Sequence, residues 1–132
     1  MNIEQLREYC ISIKGATESF PFDETTLVFK VMEKMFAYIA LNPKDGQFAV
    51  NLKCAPEKSI ELRERYQGVR NGIHMPQGFM WNAVHLESDV PDKLIQELIE
   101  HSVEEVLKKL PKKKQQEYGE LTILMNNYAS SE

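Results

Sequence analysis

Apolar positions along this 132-residue chain recur in two periods, and the change between them marks out its elements. Ile3, Leu6, Cys10 and Ile13 follow a helical period, with Asn2 placed as an N-cap, Gln5 as its capping-box partner and Gly15 as a stop, which predicts a helix over 3–14. The period then shortens. Residues 26–31, 35–41 and 47–52 read as strands, the last placing Phe48, Val50 and Leu52 on one face. Glu33-Lys34 and Pro43-Lys44-Asp45-Gly46 supply turns between them, so the three strands form an antiparallel meander. Pro56 suits the first position of a second helix, with Glu57 at the positive end of its dipole, Ser59, Leu62 and Tyr66 on its inner face, and Gly68 closing it. Residues 69–75 and 80–86 return to strand character around Pro76-Gln77-Gly78. Ser88-Asp89 and Pro91 open the longest helix, where Leu94, Ile95, Leu98, Ile99, Val103, Val106, Leu107 and Leu110 form one stripe. Pro111 ends it or begins a short helix to Tyr118, capped by Gly119.

The resulting order is α-β-β-β-α-β-β-α-α. Strands in runs with helices at both ends predict an α+β fold, an antiparallel sheet covered by helices, and not a parallel βαβ sheet. A single domain over 1–119 is expected, with 120–132 a short helix or frayed tail.

Composition narrows the function. Sixteen Lys and Arg against twenty Asp and Glu leave a net charge of −4, a poor overall balance for a protein that must neutralise many phosphates. Local basic patches remain available. The amphipathic start, MNIEQLREYC, lacks the apolar core of a signal peptide, and no apolar run reaches membrane length, so a cytoplasmic protein is expected. Two cysteines in different elements do not make a disulfide framework.

Several groups could carry chemistry. Lys30, Lys34, Lys53 and Arg70 lie on or beside the predicted strands, with Trp81 and Phe79 near the Pro-Gly loop; cations interleaved with aromatics on a sheet suit a nucleic-acid backbone and stacked bases. The plainer reading makes the aromatics packing residues and the cations strand edges. Lys108, Lys109, Lys112, Lys113 and Lys114 form a second basic run, equally readable as solvated lysines complementing a helix C-terminus. Cys54 follows Lys53 and precedes a helix start, a setting that lowers a thiol pKa, and is a candidate reactive thiol if His74 or His85 reaches it as a base; the alternative is a small buried apolar residue. His74, His85 and His101 fit no metal-ligand spacing, and Gly68-Val69-Arg70-Asn71-Gly72 lacks the lysine and helix of a phosphate loop. No catalytic signature and no cofactor motif are present.

The run Asn51-Leu52-Lys53-Cys54-Ala55-Pro56-Glu57, followed by Leu62-Arg63 and Tyr66, resembles the central signature of the MmcQ/YjbR family. Phe20-Pro21-Phe22, Val28-Phe29-Lys30-Val31, Lys34-Met35-Phe36-Ala37, His74-Met75, Trp81-Asn82, Val84 and Val90-Pro91-Asp92 extend the likeness over about residues 3–118. The resemblance implies an α+β fold similar to that of secretion chaperones and likened to frataxin. It also implies DNA binding through paired hairpins, a "double wing", and brings no catalytic residues; the expected contacts, Lys30, Lys34, Lys53, Arg70, His74 and Trp81, come from the pattern of cations and aromatics in this sequence. Where relatives carry a stretch of the type Asn-Lys-Lys-His, this chain has the uncharged Pro76-Gln77-Gly78-Phe79-Met80. That departure leaves a second class of function open, a protein-interaction or self-associating module using the Met75–Met80 region. A thiol-reactive protein using Cys54 is a third.

Overall fold

A computed structural model describes residues 1–72 and 81–120. The elements run α1 (Ile3–Ser12), β1 (Thr17–Ser19), β2 (Thr26–Val31), β3 (Lys34–Ala40), β4 (Ala49–Lys53), α2 (Pro56–Arg65), β5 (Val69–Asn71), β6 (Trp81–His85) and α3 (Asp92–Leu107), followed by a helical stretch, α4, over 112–120. Six strands form one sheet in the order β1-β2-β3-β4-β6-β5, and every pairing is antiparallel. The α+β reading holds, and the meander is present as β2-β3-β4.

Local chemistry explains most boundaries. Asn2 accepts from the Gln5 amide at 2.8 Å while the Gln5 side chain accepts from Asn2, a complete capping box. Pro56 occupies the first turn of α2, where a missing N–H costs nothing. The β2–β3 hairpin turns on Met32 and Glu33, both at positive φ (49° and 65°), the backbone a two-residue hairpin needs. Neither is glycine, so each costs about 1–2 kcal/mol of backbone strain, offset by the strands that the turn joins.

Two expectations are corrected. Residues 17–19 fall in the segment read as a connection, yet they form β1, recruited by pairing with Val28, Phe29 and Lys30. Ser88 and Asp89 do not cap α3, whose N-cap is Pro91 with no side-chain bond. The Asp89 carboxylate instead accepts the amides of Gln67 (2.7 Å) and Gly68 (2.8 Å), which hold its pKa below the ordinary aspartate value. That contact demands glycine: a Cβ on Gly68 would stand 2.1 Å from Ser88 Oγ.

Register sorts the side chains. One transverse row, Leu27, Ile39, Val50, Val84 and Val69, faces the helices and belongs to the main core with Leu6 and Cys10 of α1, Leu62 of α2 and Ile95, Leu98 and Ile99 of α3. The next row, Val28, Tyr38, Asn51, Ala83 and Arg70, points to the other face. Val28, Tyr38 and Ala83 are buried there, outside the main cluster. Tyr118 of α4 donates to the Lys14 carbonyl at 2.8 Å, which ties that helix to the end of α1. Among the described residues, no helix is long and apolar enough to cross a membrane.

Candidate functional site

The sequence-predicted contacts separate into groups. Lys30 shares the parity of Val28, Lys53 and Trp81 stand directly opposite one another on β4 and β6, and Arg70 opposes Ala83. By backbone parity all four fall on the sheet side turned away from α1–α3, although Lys53 ends β4 and its ammonium reaches Lys109 and Glu105 at the end of α3. Five strands lie between and including those of Lys30 and Arg70, so these ends are about 19 Å apart. Lys34 does not join them: it opens β3 beside the hairpin turn, opposite Val31, on the helix-side parity. His74 and the Met75–Met80 region lie outside the described residues.

Trp81 is half-buried, and its ring rests against Tyr38 with centroids 5.5 Å apart and planes tilted by 52°. Its carbonyl accepts from Gly72 N–H at 2.8 Å and from Arg63 Nη2 at 3.3 Å. A Cβ on Gly72 would meet Trp81 Cβ at 2.9 Å, so glycine is required for this approach. The Tyr38 hydroxyl is buried and has no hydrogen-bond partner among the described residues, in a residue only 6% exposed, and burial raises its pKa. Lys53 is partly buried; its pKa is lowered by that burial first and then by Lys109, with Glu105 pulling the other way. Two ammonium groups from β4 and the end of α3 thus converge.

Behind this face, the family-signature residues form a polar network that sequence reading did not assemble. Asn82 (2% exposed) accepts from Arg63 Nε at 2.7 Å and donates to Ser59 Oγ at 3.2 Å, binding α2 to β6. Ser102 of α3 donates to the Phe36 carbonyl at 2.6 Å and accepts the Lys53 amide at 2.9 Å. The β3–β4 register, continued one step past Ala37 and Leu52, would pair Phe36 with Lys53. A register shift between Phe29 and Lys30 leaves Phe36 bulged, and the Ser102 hydroxyl fills the opened ladder. One signal in the sequence pointed to it: Ser102 falls on the apolar stripe of α3, three and four residues beyond Ile99 and Leu98.

Cys54 is 3% exposed, and its thiol pKa is raised, burial outweighing the Ser59 hydrogen bond and the Lys58 charge. Such a thiol stays protonated at neutral pH. Burial pushes Cys10 up to about 12. His101, and not His85, reaches the start of α2: its Nε2 accepts the Ala55 amide at 3.2 Å, whereas His85 lies against the Gly68 carbonyl. Among the described residues no group of three or more His, Cys, Asp or Glu could hold a metal. An apolar groove of about 300 Å³ lies elsewhere, lined by Ile3, Arg7, Glu18, Phe20, Leu27 and Leu41, with Phe22 67% exposed nearby in sequence.

The His101 contact carries a pH dependence. Burial and Lys58 lower its pKa, while Glu105 and Glu104 oppose them; Lys108 also lowers it. A folded pKa below the unfolded value of about 6.5 means that the unfolded chain takes up the proton first as pH falls. The stability contributed by neutral His101 is complete above about pH 6.5 and declines below it, towards the folded pKa. Urea unfolding from about pH 7 to about pH 5 should show stability falling, and His101→Gln should flatten that fall. An unchanged slope in the variant would assign the loss to other groups.

Comparison with known proteins fits this signature. The YjbR family description matches residues 11–104. The chain belongs to the YjbR family. The uncharacterised YjbR protein of Escherichia coli is 31% identical over 114 residues, which are 86% of this chain and 94% of that protein. A crystal structure from Deinococcus radiodurans, of the domain family DUF419, superposes with a TM-score of 0.79 at 34% identity, covering 89% of this chain and 88% of its own. A Pseudomonas syringae protein of known structure shares the fold, with a TM-score of 0.67 at 24% identity over 77% of this chain and 96% of its own. In this YjbR-family chain Lys53, Cys54, Ala55, Arg63 and Asn82 surround the junction of β4, α2 and β6, with Cys54 and Asn82 buried and the others partly so.

Proposed function

We propose that this YjbR-family protein binds nucleic acid through the sheet face carrying Lys30, Lys53, Trp81 and Arg70. One observation carries the reading: four residues scattered over some fifty positions, on four different strands, share that face by backbone register. The pairing of Lys53 with Lys109 adds to it, because a phosphate placed between two converging ammonium groups relieves their repulsion. Net charge of −4 restricts the attraction to this locality and makes it strongly dependent on salt.

The test is fluorescence anisotropy with short labelled DNA at low and at near-physiological salt. Binding is expected with a falling log–log salt dependence, and Lys53→Gln/Arg70→Gln should reduce the slope by about two contact units. Unchanged binding in the double variant would remove both residues from the site. No binding at low salt would overturn the function.

A further inference from the structure

Independently of the nucleic-acid reading, we infer that this chain pairs with a second copy of itself through the margin of the sheet at β1. Exposed apolar surface is concentrated there. Among the described residues five large apolar side chains are more than a third exposed, and four of them, Ile11, Phe20, Phe22 and Leu41, belong to this margin. Ile3, Arg7 and Ile11 recur every four residues along one side of α1, so Ile11 prolongs the wall that Ile3 and Arg7 give the apolar groove. The Leu41 amide donates to the Thr25 carbonyl at 2.7 Å, which extends the β2–β3 pairing and brings Leu41 to the groove beside Leu27.

The same margin carries both a hole and a knob. The groove measures about 300 Å³, and its wall charges Arg7 and Glu18 satisfy each other, with Arg7 Nε donating to Glu18 Oε2 at 2.8 Å. An aromatic ring entering it therefore leaves that ion pair intact. Phe22 lies two residues beyond Phe20 and is 67% exposed, so it does not fill the groove of its own chain. The turn that follows steadies its backbone: Asp23 Oδ1 accepts the amides of Thr25 at 2.9 Å and Thr26 at 2.7 Å. A projecting ring beside a bonded turn gives up little backbone freedom on docking.

Knob and hole on one margin suit a two-fold contact, in which Phe22 of each copy enters the groove of the other. A foreign partner would have to supply a ring that this chain already carries. Pro21 lacks an N–H, so the contact runs through side chains and not through an added strand. The size agrees. The four side chains expose about 350 Å² of apolar surface, within the range of a functional patch. Interfaces are about three-fifths apolar, so each copy buries about 600 Å² and the pair about 1,200 Å². That total stands at the lower limit for a specific complex, which gives a reversible dimer with a Kd on the order of 10 μM.

Sedimentation velocity of the wild-type chain from about 1 to about 300 μM should show monomer passing to dimer as concentration rises. The transition should persist at about 0.5 M salt, where binding to phosphates would fail. Phe22→Ser removes the knob and Leu41→Glu charges the hole; each should raise Kd at least about tenfold. Mixed in equal amounts, the two variants should associate more tightly than either alone, because one intact Phe22 still meets one intact groove. A wild-type chain that is monomeric at about 300 μM would overturn the inference. So would an unchanged Kd in Phe22→Ser, or a mixture no tighter than its components. Phe22 is largely exposed, so its replacement leaves the core untouched, and the wild-type titration needs no variant at all.

Discussion

Replacing Ser102 with alanine should lower the unfolding free energy by about 3 kcal/mol and the thermal midpoint by about 10 °C. The loss exceeds what one hydroxyl normally contributes because two backbone groups depend on it. The Phe36 carbonyl and the Lys53 amide face each other across β3 and β4, where the bulge at Phe36 prevents their direct bond. Ser102 Oγ accepts one and donates to the other, at 2.9 and 2.6 Å, from a fully buried position. Alanine leaves both unsatisfied at a fully buried position, and each orphaned group costs about 1–3 kcal/mol. Cysteine or threonine at 102 would test the geometry, since threonine keeps the hydroxyl but adds a methyl to a packed core. Urea or thermal denaturation measures the effect. A change below about 1 kcal/mol would mean that the strands close the ladder without the serine.

Asn82→Ala should have the second large effect, about 2–4 kcal/mol. Asn82 lies on the helix-facing side of β6, in the row with Phe29, Ala37 and Leu52, where an apolar residue would be the simpler choice. It is there because Arg63 extends from α2 over the sheet, and its guanidinium needs an acceptor: Asn82 Oδ1 at 2.7 Å and the Trp81 carbonyl at 3.3 Å. The amide nitrogen then satisfies the buried Ser59 hydroxyl. Alanine removes one contact from each partner and opens a cavity as well. Replacing both sides, as in Arg63→Met/Asn82→Leu, should cost less than the two single changes added together, with a coupling of about 1–2 kcal/mol. Strict additivity of the two would show that the side chains act independently.

How much could be read in advance follows from how local each determinant is. The Asn2–Gln5 box, the 26–31 strand and the proline entering α2 depend on neighbours within a few residues, and each is found where its sequence places it. β1 carries no alternation that could announce it, since its three residues are exposed or partly so and owe their conformation to β2. Asp89 looked like the cap of the helix that follows it, but its partners precede it by 21 and 22 residues. The Ser102 bridge spans 66 positions to Phe36, and the Asn82 pair 19 and 23. Such contacts exist only after the fold has brought the elements together. The same limit applied to the candidate site: Lys30, Lys53, Trp81 and Arg70 share a face by register, and the parity of Lys34 is moved to the other side by a bulge that no residue type announces.

Among the described residues both margins of the sheet are short, which bears on the protein's behaviour when concentrated. Of the described residues β1 and β5 contribute three each, one followed closely by Pro21 and the other by Gly72. A strand from another molecule could form only one or two ladder bonds along either margin before meeting a residue that lacks an N–H or a side chain to pack. The longer, more apolar strands β2, β3, β4 and β6 have neighbours on both sides. The order of the described strands thus keeps the aggregation-prone ones inside, and lateral growth through them would require a three-residue margin to peel away first.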